Sequence, residues 1–443
     1  MTAMELTLGI FFDGTGNNIN DKPSTISNVA KLYRVYSKSD APMIRKLYIR
    51  GVGSEKYKED NDRLGGQSAL SNGIDRMFGG AFGSGGHDRI DFILDQAKTI
   101  LKEDTGVTKL TFDVFGFSRG AALARHFINV IRKEPLHAKQ SIRFLGLFDT
   151  VGSFGLPGNN KDNFDFRIPK NSVKYIYHLI AENELRKNFD LHSIRPNSSI
   201  PLDHDDSSCT GNRWAVEILC PGVHSDIGGG YDQLKPGEKK LEHGNRNNRL
   251  SRHYLKQMHN RAKACGVPFD DTSAGEFKQQ WNYGETLSKS IASLLNQYKK
   301  QPGLRLKHAI LREAIQTIDV LSDELRGMPK RIRNKRPNPR YKQHKREIEN
   351  MRESGIPLLE TIFLQDAFNN NKQHYKKFLL SYKKINKGFI HISHTPINNS
   401  IGMDAQITSS VVNTRVWPAL EGTAYASLIK RAVKRDIFYN RYD

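Results

Sequence analysis

The sequence predicts an α/β fold, with a mostly parallel sheet that carries helices on both faces, followed by a helical, basic C-terminal region. Three observations predict it. Short apolar runs rich in β-branched and aromatic residues alternate with segments of helical periodicity. Glycine and acidic residues follow several of these runs directly, as in turns at strand ends. The chain of 443 residues is also long enough to bury a large core.

The first elements alternate in the order that a parallel sheet requires. Residues 5–12 predict a strand that ends in DGTGNN, and residues 27–36 predict a helix capped by Ser27 or Asn28. The run RKLYIRGVG predicts a second strand. A glycine-rich loop at 79–86 then precedes a helix at about 88–102. Strand and helix in alternation indicate βαβ units.

The stretch TFDVFGFSRGAALARHF places a serine at the next strand-to-helix turn. Leu110 to Phe115 predicts a buried strand, and Ala121 to Ile131 predicts a helix. Ser118 lies between them, flanked by Gly116 and Gly120, in the G-x-S-x-G pattern of a nucleophile elbow. Such a turn exposes the serine oxygen at the end of the sheet. An ordinary βα turn with an incidental serine is the alternative, and the flanking strand and helix favour the elbow of an α/β-hydrolase-like fold.

Two further strands end in chemically useful residues. IRFLGLFDTVGS predicts a strand that ends at Asp149, and AVEILCPGVHSDIGGGY predicts one that leads to His224. With Asp13 and Ser118, four strand ends then carry polar side chains. Because the carboxyl ends of parallel strands share one edge, we expect these side chains to lie close together.

A nucleophilic serine needs a base and an orienting carboxylate, which in elbow hydrolases follow in the order Ser, Asp or Glu, His. Asp149 is the predicted carboxylate, because it directly follows an apolar strand. Asp226 is interpreted as shaping the turn after His224. Weaker candidates lie in a polar loop: Asp203, Asp205 and Asp206.

His224 is the predicted base among the fifteen histidines, because it follows a strand and precedes a glycine-rich turn. His178 lies in a segment predicted to be helical and is interpreted as structural. His391 and His394 stay open as alternatives. The histidines in polar stretches are interpreted as surface residues: His243, His253, His259, His344 and His374.

The oxyanion hole of an elbow hydrolase takes one N–H from the residue after the nucleophile and one from an early βα loop. Arg119 would supply the first and Gly14 or Thr15 the second. Alternatively, the loop after Asp13 could bind phosphate or a metal ion. No GxxxxGK[ST] pattern surrounds it and no second carboxylate pairs with it, so we predict no metal and no cofactor, with calcium left open.

Six blocks in this order resemble the GxSxG lipase effectors of bacterial type VI secretion systems, within a broader α/β-hydrolase family. They are FFDGTGNN at 11–18, SNV at 27–29, GFSRGAA at 116–122, FLGLFDTVGS at 144–153, AENELRKNF at 181–189 and PGVHSDIGGGY at 221–231. The resemblance implies a Ser118, Asp149 and His224 triad. It also implies an antibacterial phospholipase that travels with a secretion spike or adaptor and is neutralised by an immunity protein in the producing cell.

The predicted domains are a catalytic domain at 1–265 and a mainly helical, basic region at 266–443. Helices are expected at about 250–265, 304–326 and 357–384, and strands near 388–394 and 406–416. No apolar run reaches the roughly 18 residues that a membrane span needs.

Residues 326–346 carry nearly half of the net charge of +21, because they hold ten lysines or arginines and no acid. We expect this segment to contact an anionic phospholipid membrane or an acidic partner. Nucleic acid is disfavoured because only Tyr341 offers an aromatic ring for base stacking. The cations selected for testing are Lys330, Arg331, Arg333, Lys335 and Arg336.

The N-terminal apolar run lacks a preceding basic region and meets Asp13 where a cleavage site would lie, so we expect no signal peptide. Cys209, Cys220 and Cys265 fit no metal or disulfide spacing, which favours synthesis in the bacterial cytoplasm. Delivery to the target-cell periplasm or membrane follows from the resemblance. Two alternatives stay open: an esterase for soluble esters, and a non-catalytic protein on a hydrolase-like core that binds nucleic acid or a partner.

Overall fold

The computed structural model describes most of the N-terminal part of the chain and selected segments beyond it. The described residues are 4–21, 25–40, 42–54, 84–104, 106–154, 164–184, 189–195, 214–230, 249–270, 285–300, 325, 329–331, 336–350, 352–353, 372–373, 376 and 437–438.

Seven strands form one sheet in the order β2-β3-β1-β4-β5-β6-β8. Their bounds are β1 Met4–Phe12, β2 Ser39–Asp40, β3 Met43–Ile49, β4 Val107–Phe117, β5 Gln140–Phe148, β6 Val173–Ala181 and β8 Trp214–Cys220. All neighbours pair in parallel except β2, which runs antiparallel to β3 at the edge. Two short strands pair separately, β7 at Leu191–His192 and β9 at Ile437–Phe438. The predicted fold class, a mostly parallel α/β sheet, is confirmed.

Helices follow the strands as the periodicity predicted. Their bounds are α1 Asn28–Val35, α2 Ser84–Glu103, α3 Arg119–Lys133, α4 His224–Gly228, α5 Arg249–Ala264, α6 Glu285–Lys300 and α7 Pro339–Asn350. Ser27 caps α1 by accepting a 3.1 Å hydrogen bond from the Ala30 N–H, one of the two caps that the sequence offered.

The two faces of the sheet are packed differently. One face presents aliphatic residues such as Leu8 and Val114 to α2 and α3. The other carries aromatic rings: Phe11 stacks on Phe115 with centroids 5.0 Å apart, and Tyr36 meets Phe11 edge-on. Both faces are covered, which explains why the central strands read as continuous apolar runs.

The connections set the position of the site. From β1 the chain moves to β3 on one side of β1, then returns to β4 on the other side. This reversal between β1 and β4 is a topological switch point, where parallel sheets open a crevice at their carboxyl ends. Asp13 and Ser118 directly follow these two strands.

Three predictions about histidines are wrong. The segment that contains His178 is not a helix but the strand β6. This strand is buried on both faces, so its apolar residues do not alternate with polar ones, and the sequence shows no period that distinguishes a strand from a helix. His253 and His259 are not surface residues, with 8% and 6% of their area exposed. Polar neighbours in sequence that are partly or fully exposed, such as Lys256 and Asn260, do not report that these two side chains are buried.

In the C-terminal region the described helices α6 and α7 fit the predicted helical character. Apart from isolated positions, the expected elements at 304–326, 357–384, 388–394 and 406–416 lie outside the described residues, and so does most of the loop at 79–86. The division at residue 265 stays a prediction. Among the helices that the structure describes, none combines the length and apolar character needed to cross a bilayer.

Candidate active site

Ser118 lies at a strained turn between β4 and α3. Its φ of 58° and ψ of −127° fall in a region that residues with side chains rarely adopt. A Cβ at Gly116 would lie 2.5 Å from the Ala121 Cα, and one at Gly120 would overlap the backbone carbonyls of Phe12 and Asp13. Both glycines are therefore required by close backbone contacts.

Asp149 follows β5 next to the elbow, because Phe148 pairs with Phe117 in the parallel register. It has a positive φ of 42° and is fully buried. Its backbone N–H donates to the Leu179 carbonyl at 2.8 Å, and its Oδ1 accepts from the Ala181 N–H at 2.8 Å. These bonds to β6 fix one carboxylate oxygen and direct the other, Oδ2, toward α4.

His224 is the first residue of α4, and its Nδ1 lies 2.6 Å from Asp149 Oδ2. Since the carboxylate accepts, Nδ1 of the neutral ring carries the proton and Nε2 carries the lone pair. The ring packs against Phe117, with centroids 4.7 Å apart, and meets Phe189 edge-on at 4.9 Å. Because Phe117 directly precedes Ser118, this contact places the imidazole beside the elbow.

The turn around α4 depends on glycine and on Asp226. A Cβ at Gly228 would overlap the Phe117 ring, and Gly229 and Gly230 have φ of 84° and 100°. Asp226 Oδ2 accepts from the Val223 N–H at 3.0 Å. Asp226 therefore shapes this turn, as the sequence suggested, and does not compete with Asp149 for His224. The His224 N–H is held by Glu184 at 3.2 Å, a contact that no sequence pattern indicated.

The loop after β1 contacts the elbow at two points. Gly14 packs against Phe117, where a Cβ would overlap the ring. Thr15 Oγ1 accepts a 2.6 Å hydrogen bond from Arg119 Nε, which ties the loop to the first residue of α3. The Gly14 N–H donates to Asp13 Oδ1 at 2.7 Å. Of the two predicted loop donors for an oxyanion, this geometry favours Thr15 over Gly14, whose N–H is already engaged.

Asp13 is a buried acid at the end of β1, with 2% of its area exposed. Burial raises its pKa to about 6, although hydrogen bonds from Ser27, Tyr48 and the Gly14 N–H oppose the shift. The Tyr48 hydroxyl donates to Asp13 Oδ2 at 2.5 Å. Nearby, burial lowers the pKa of Lys31 to about 7, and positive charges at Arg252 and Arg34 add to the effect.

Sequence reasoning missed a second buried histidine–carboxylate pair on β6 and β8. His178 Nδ1 lies 2.8 Å from Glu217 Oε2. The two residues are direct neighbours in the strand register, which no pattern in the sequence reveals. His178 faces Glu217 and Thr150, not the elbow serine.

The other candidates fall outside this arrangement. Asp203, Asp205, Asp206, His391, His394, Arg333 and Lys335 lie outside the described residues. Lys330, Arg331 and Arg336 are exposed. Across the part of the chain that the structure describes, no three or more His, Cys, Asp or Glu side chains converge as they would around a metal ion.

Comparison with known proteins gives a family match. The model described as "T6SS, Phospholipase effector Tle1-like, catalytic domain" matches residues 7–140 and 131–261. Two solved structures are similar at 21% identity. One, of the Tle1 effector bound to the VgrG spike of the type 6 secretion system, has a TM-score of 0.46 and covers 66% of this chain and 79% of that chain. The other, an uncharacterised protein from Pseudomonas aeruginosa, has a TM-score of 0.49 and covers 85% and 63%. A search of curated proteins found no match.

Proposed function

The chain belongs to the Tle1-like family of type VI secretion phospholipase effectors, and from this premise we propose that it hydrolyses acyl esters of membrane phospholipids with Ser118 as nucleophile. The observation that carries the proposal is the 2.6 Å contact between His224 Nδ1 and Asp149, made beside a strained serine elbow. A nucleophile, a base and an orienting carboxylate are the three parts that serine hydrolysis needs.

In the proposed reaction, the Ser118 hydroxyl attacks the acyl carbonyl carbon while His224 Nε2 accepts its proton. Asp149 holds the ring tautomer and stabilises the imidazolium. The N–H groups of Arg119 and Thr15 stabilise the oxyanion. The tetrahedral intermediate then expels the lysophospholipid alcohol, which takes the proton from His224. Water, deprotonated by His224, releases the fatty acid from the acyl-serine and restores the enzyme.

The family description supports a proposal about delivery and partners. We infer that the protein is carried by the secretion spike, directly or through an adaptor, to the periplasm or membrane of a target bacterium. Phospholipid hydrolysis there would be toxic, so the producing cell is expected to hold an immunity protein. The proposed role is therefore antibacterial.

Membrane contact is supported by the exposed cations of the described C-terminal segments. Lys330, Arg331 and Arg336 are exposed, and so are four cations of α7: Arg340, Lys342, Lys345 and Arg346. In α7, Lys345 pairs with Glu349 at 3.6 Å, with more than half of each side chain exposed. Each cation near an anionic bilayer contributes about 1 kcal/mol of binding free energy.

The first experiment measures lipid products. Purified protein is incubated with vesicles of mixed bacterial phospholipids, and fatty acid and lysophospholipid are quantified by mass spectrometry. We expect both products with the wild type and none with Ser118→Ala. Ser141→Ala, an exposed serine at the amino end of β5, is the matched control and should behave as wild type. Release of products by Ser118→Ala would contradict the serine mechanism, and turnover of soluble esters alone would favour the esterase alternative.

A second experiment tests membrane contact. Replacing Lys330, Arg331 and Arg336 with Gln should weaken sedimentation with anionic vesicles and reduce its salt dependence. The matched control replaces three exposed cations of the catalytic domain, Lys98, Lys102 and Lys139, and so removes the same charge elsewhere. Equal losses in both variants would show that net charge acts and not this segment.

A further inference from the structure

We propose that His178 and Glu217 are positioning residues for the proposed hydrolysis: together they hold the Thr150 backbone, and through it Asp149, in the orientation that His224 requires. The inference rests on the proposed function, since it concerns how its carboxylate is held. It assigns a role to a buried pair that lies behind the site and that the proposed reaction itself does not use.

Glu217 anchors the pair because both of its oxygens are fully engaged. Oε1 accepts from Ser193 Oγ at 2.7 Å and from Arg195 Nε at 2.8 Å. Oε2 accepts from the Ile194 N–H and from His178 Nδ1, each at 2.8 Å. Four donors, one of them a guanidinium, hold the carboxylate in one orientation and keep it ionised.

These contacts settle the tautomer of His178. Its Nδ1 faces an ionised carboxylate and therefore carries a proton. Its Nε2 accepts from the Thr150 N–H at 3.2 Å and lies 3.0 Å from Thr150 Oγ1. Burial lowers the pKa of His178, against the opposing influence of Glu217, so the neutral ring persists. A doubly protonated ring would direct an N–H at the Thr150 N–H and push this turn away.

The turn that His178 holds is the one that carries Asp149. Asp149 has a positive φ, so its backbone needs support from its surroundings. The Thr150 N–H donates to His178 Nε2, and the Thr150 carbonyl accepts from the His192 N–H at 3.0 Å. The next N–H, of Val151, donates to the Ser118 carbonyl at 3.3 Å. A shift of Thr150 would therefore move both Asp149 and the backbone of the nucleophile.

The test separates the two ring contacts of His178. In His178→Gln the side-chain amide reaches the Nε2 position and can accept from Thr150, but the contact with Glu217 is weakened. In His178→Asn the amide reaches the Nδ1 position and can donate to Glu217, but the contact with Thr150 is lost. If His178 acts through Thr150, kcat on a soluble ester falls on the order of 10- to 100-fold further in His178→Asn than in His178→Gln, with KM changing little.

A spectroscopic signature accompanies the kinetics. The proton between His224 Nδ1 and Asp149 should give a far-downfield ¹H resonance, which His178→Asn shifts or broadens more than His178→Gln. Ser118→Ala keeps this resonance while activity is lost. An active Ser118→Ala variant would therefore contradict the proposed function but not the positioning role.

The inference is overturned if His178→Asn matches or exceeds His178→Gln in kcat, or if the two variants lose stability while both keep kcat and the resonance. Should His178→Asn fail to fold, Glu217→Gln supplies the second test. It removes the anion that keeps the proton on His178 Nδ1, so the ring can place an N–H against the Thr150 N–H, and kcat should fall severalfold with a shift of the resonance. A wild-type rate and an unmoved resonance in folded Glu217→Gln would also overturn the proposal.

Discussion

The two buried histidine–carboxylate pairs, Asp149 with His224 and Glu217 with His178, are built from the same chemistry and differ in their surroundings. The Nδ1–oxygen distances are 2.6 and 2.8 Å. His178 lies in the middle of β6, with its second nitrogen against Thr150. His224 begins a short helix at the sheet edge, with its ring against the residue before Ser118. The pair alone therefore does not distinguish the proposed base, whereas the contact of the ring with the residue before Ser118 does.

The carboxylates differ in the same way. Glu217 receives four donors, and although burial acts to raise its pKa, hydrogen bonds from His178 and Ser193 and the charge of Arg195 lower it to about 2. Asp149 accepts from the Ala181 N–H on Oδ1 and contacts His224 Nδ1 through Oδ2. The first arrangement stabilises a fixed charge. The second directs one oxygen at the imidazole, which suits a group that supports proton transfer.

The largest expected effect is on activity, and it concerns the residues of the Asp149–His224 site. Ser118→Ala and His224→Ala should each lower kcat on a soluble ester on the order of 10⁶-fold, and the double variant should be scarcely worse, since the residues act as one unit. Steady-state kinetics of the three variants provide the measurement. Losses that multiply would show that His224 and Ser118 act independently and would break the distinction between the pairs.

Matched amide substitutions of the two carboxylates should give different profiles: the loss of kcat dominates for Asp149→Asn, whereas the loss of stability dominates for Glu217→Gln, whose effect on kcat is only severalfold. Asp149→Asn should lower kcat by about 10⁴-fold, because the amide favours the wrong imidazole tautomer, with a small change in stability. Glu217→Gln should lower the free energy of unfolding by about 3 kcal/mol, because Arg195 loses its buried counter-charge. Urea denaturation and kinetics on both proteins check this. Similar profiles for the two variants would mean that the pairs are equivalent.

The pH dependence of stability should sharpen the comparison. The fold lowers the pKa of Glu217 from 4.5 to about 2. The contribution of this carboxylate to the free energy of unfolding is therefore complete above about pH 4.5 and is lost as the pH falls toward 2. The stability difference between wild type and Glu217→Gln should therefore shrink on acidification. Urea melts from about pH 5 down to about pH 3 measure it. A constant difference would indicate that packing, and not the charge, stabilises this site.

The smallest effect concerns Asp13, a buried carboxylate hydrogen-bonded by the neutral donors Ser27, Tyr48 and the Gly14 N–H. Its pKa is raised to about 6, so the ionised form costs stability at neutral pH, and that cost is relieved as the pH falls below 6. Asp13→Asn should therefore raise the free energy of unfolding near pH 8 by about 1 kcal/mol, since the amide offers fewer acceptor sites to the Ser27, Tyr48 and Gly14 donors and this offsets part of the gain. Thermal melts near pH 8 and pH 5 test this. If Asp13→Asn loses stability at both pH values, the ionised Asp13 carboxylate stabilises the fold, as we expect for Glu217.

Much of the fold was predictable because its signals are local. The elbow around Ser118, the strands before Asp149 and His224, and the Ser27 cap all follow from residue type and spacing over a few positions. The strand β6 was not predictable in the same way. It is apolar on both faces, so its pattern has no period that separates strand from helix. His253 was misplaced because local polarity does not report which face of a helix packs on a sheet.

By itself, the sequence determined the order of most strands and helices, with β6 as the exception, and which residues follow β1, β4, β5 and β8 at the site. Tertiary structure alone decided how these residues pair. His178 and Glu217 are 39 positions apart and become neighbours only through the register of β6 and β8. His224 and Asp149 are 75 positions apart in the sequence, and Arg119 and Thr15 are 104 positions apart, yet each pair is in hydrogen-bond contact. Such contacts depend on the register and packing of distant segments, so they leave no periodic signal in the chain.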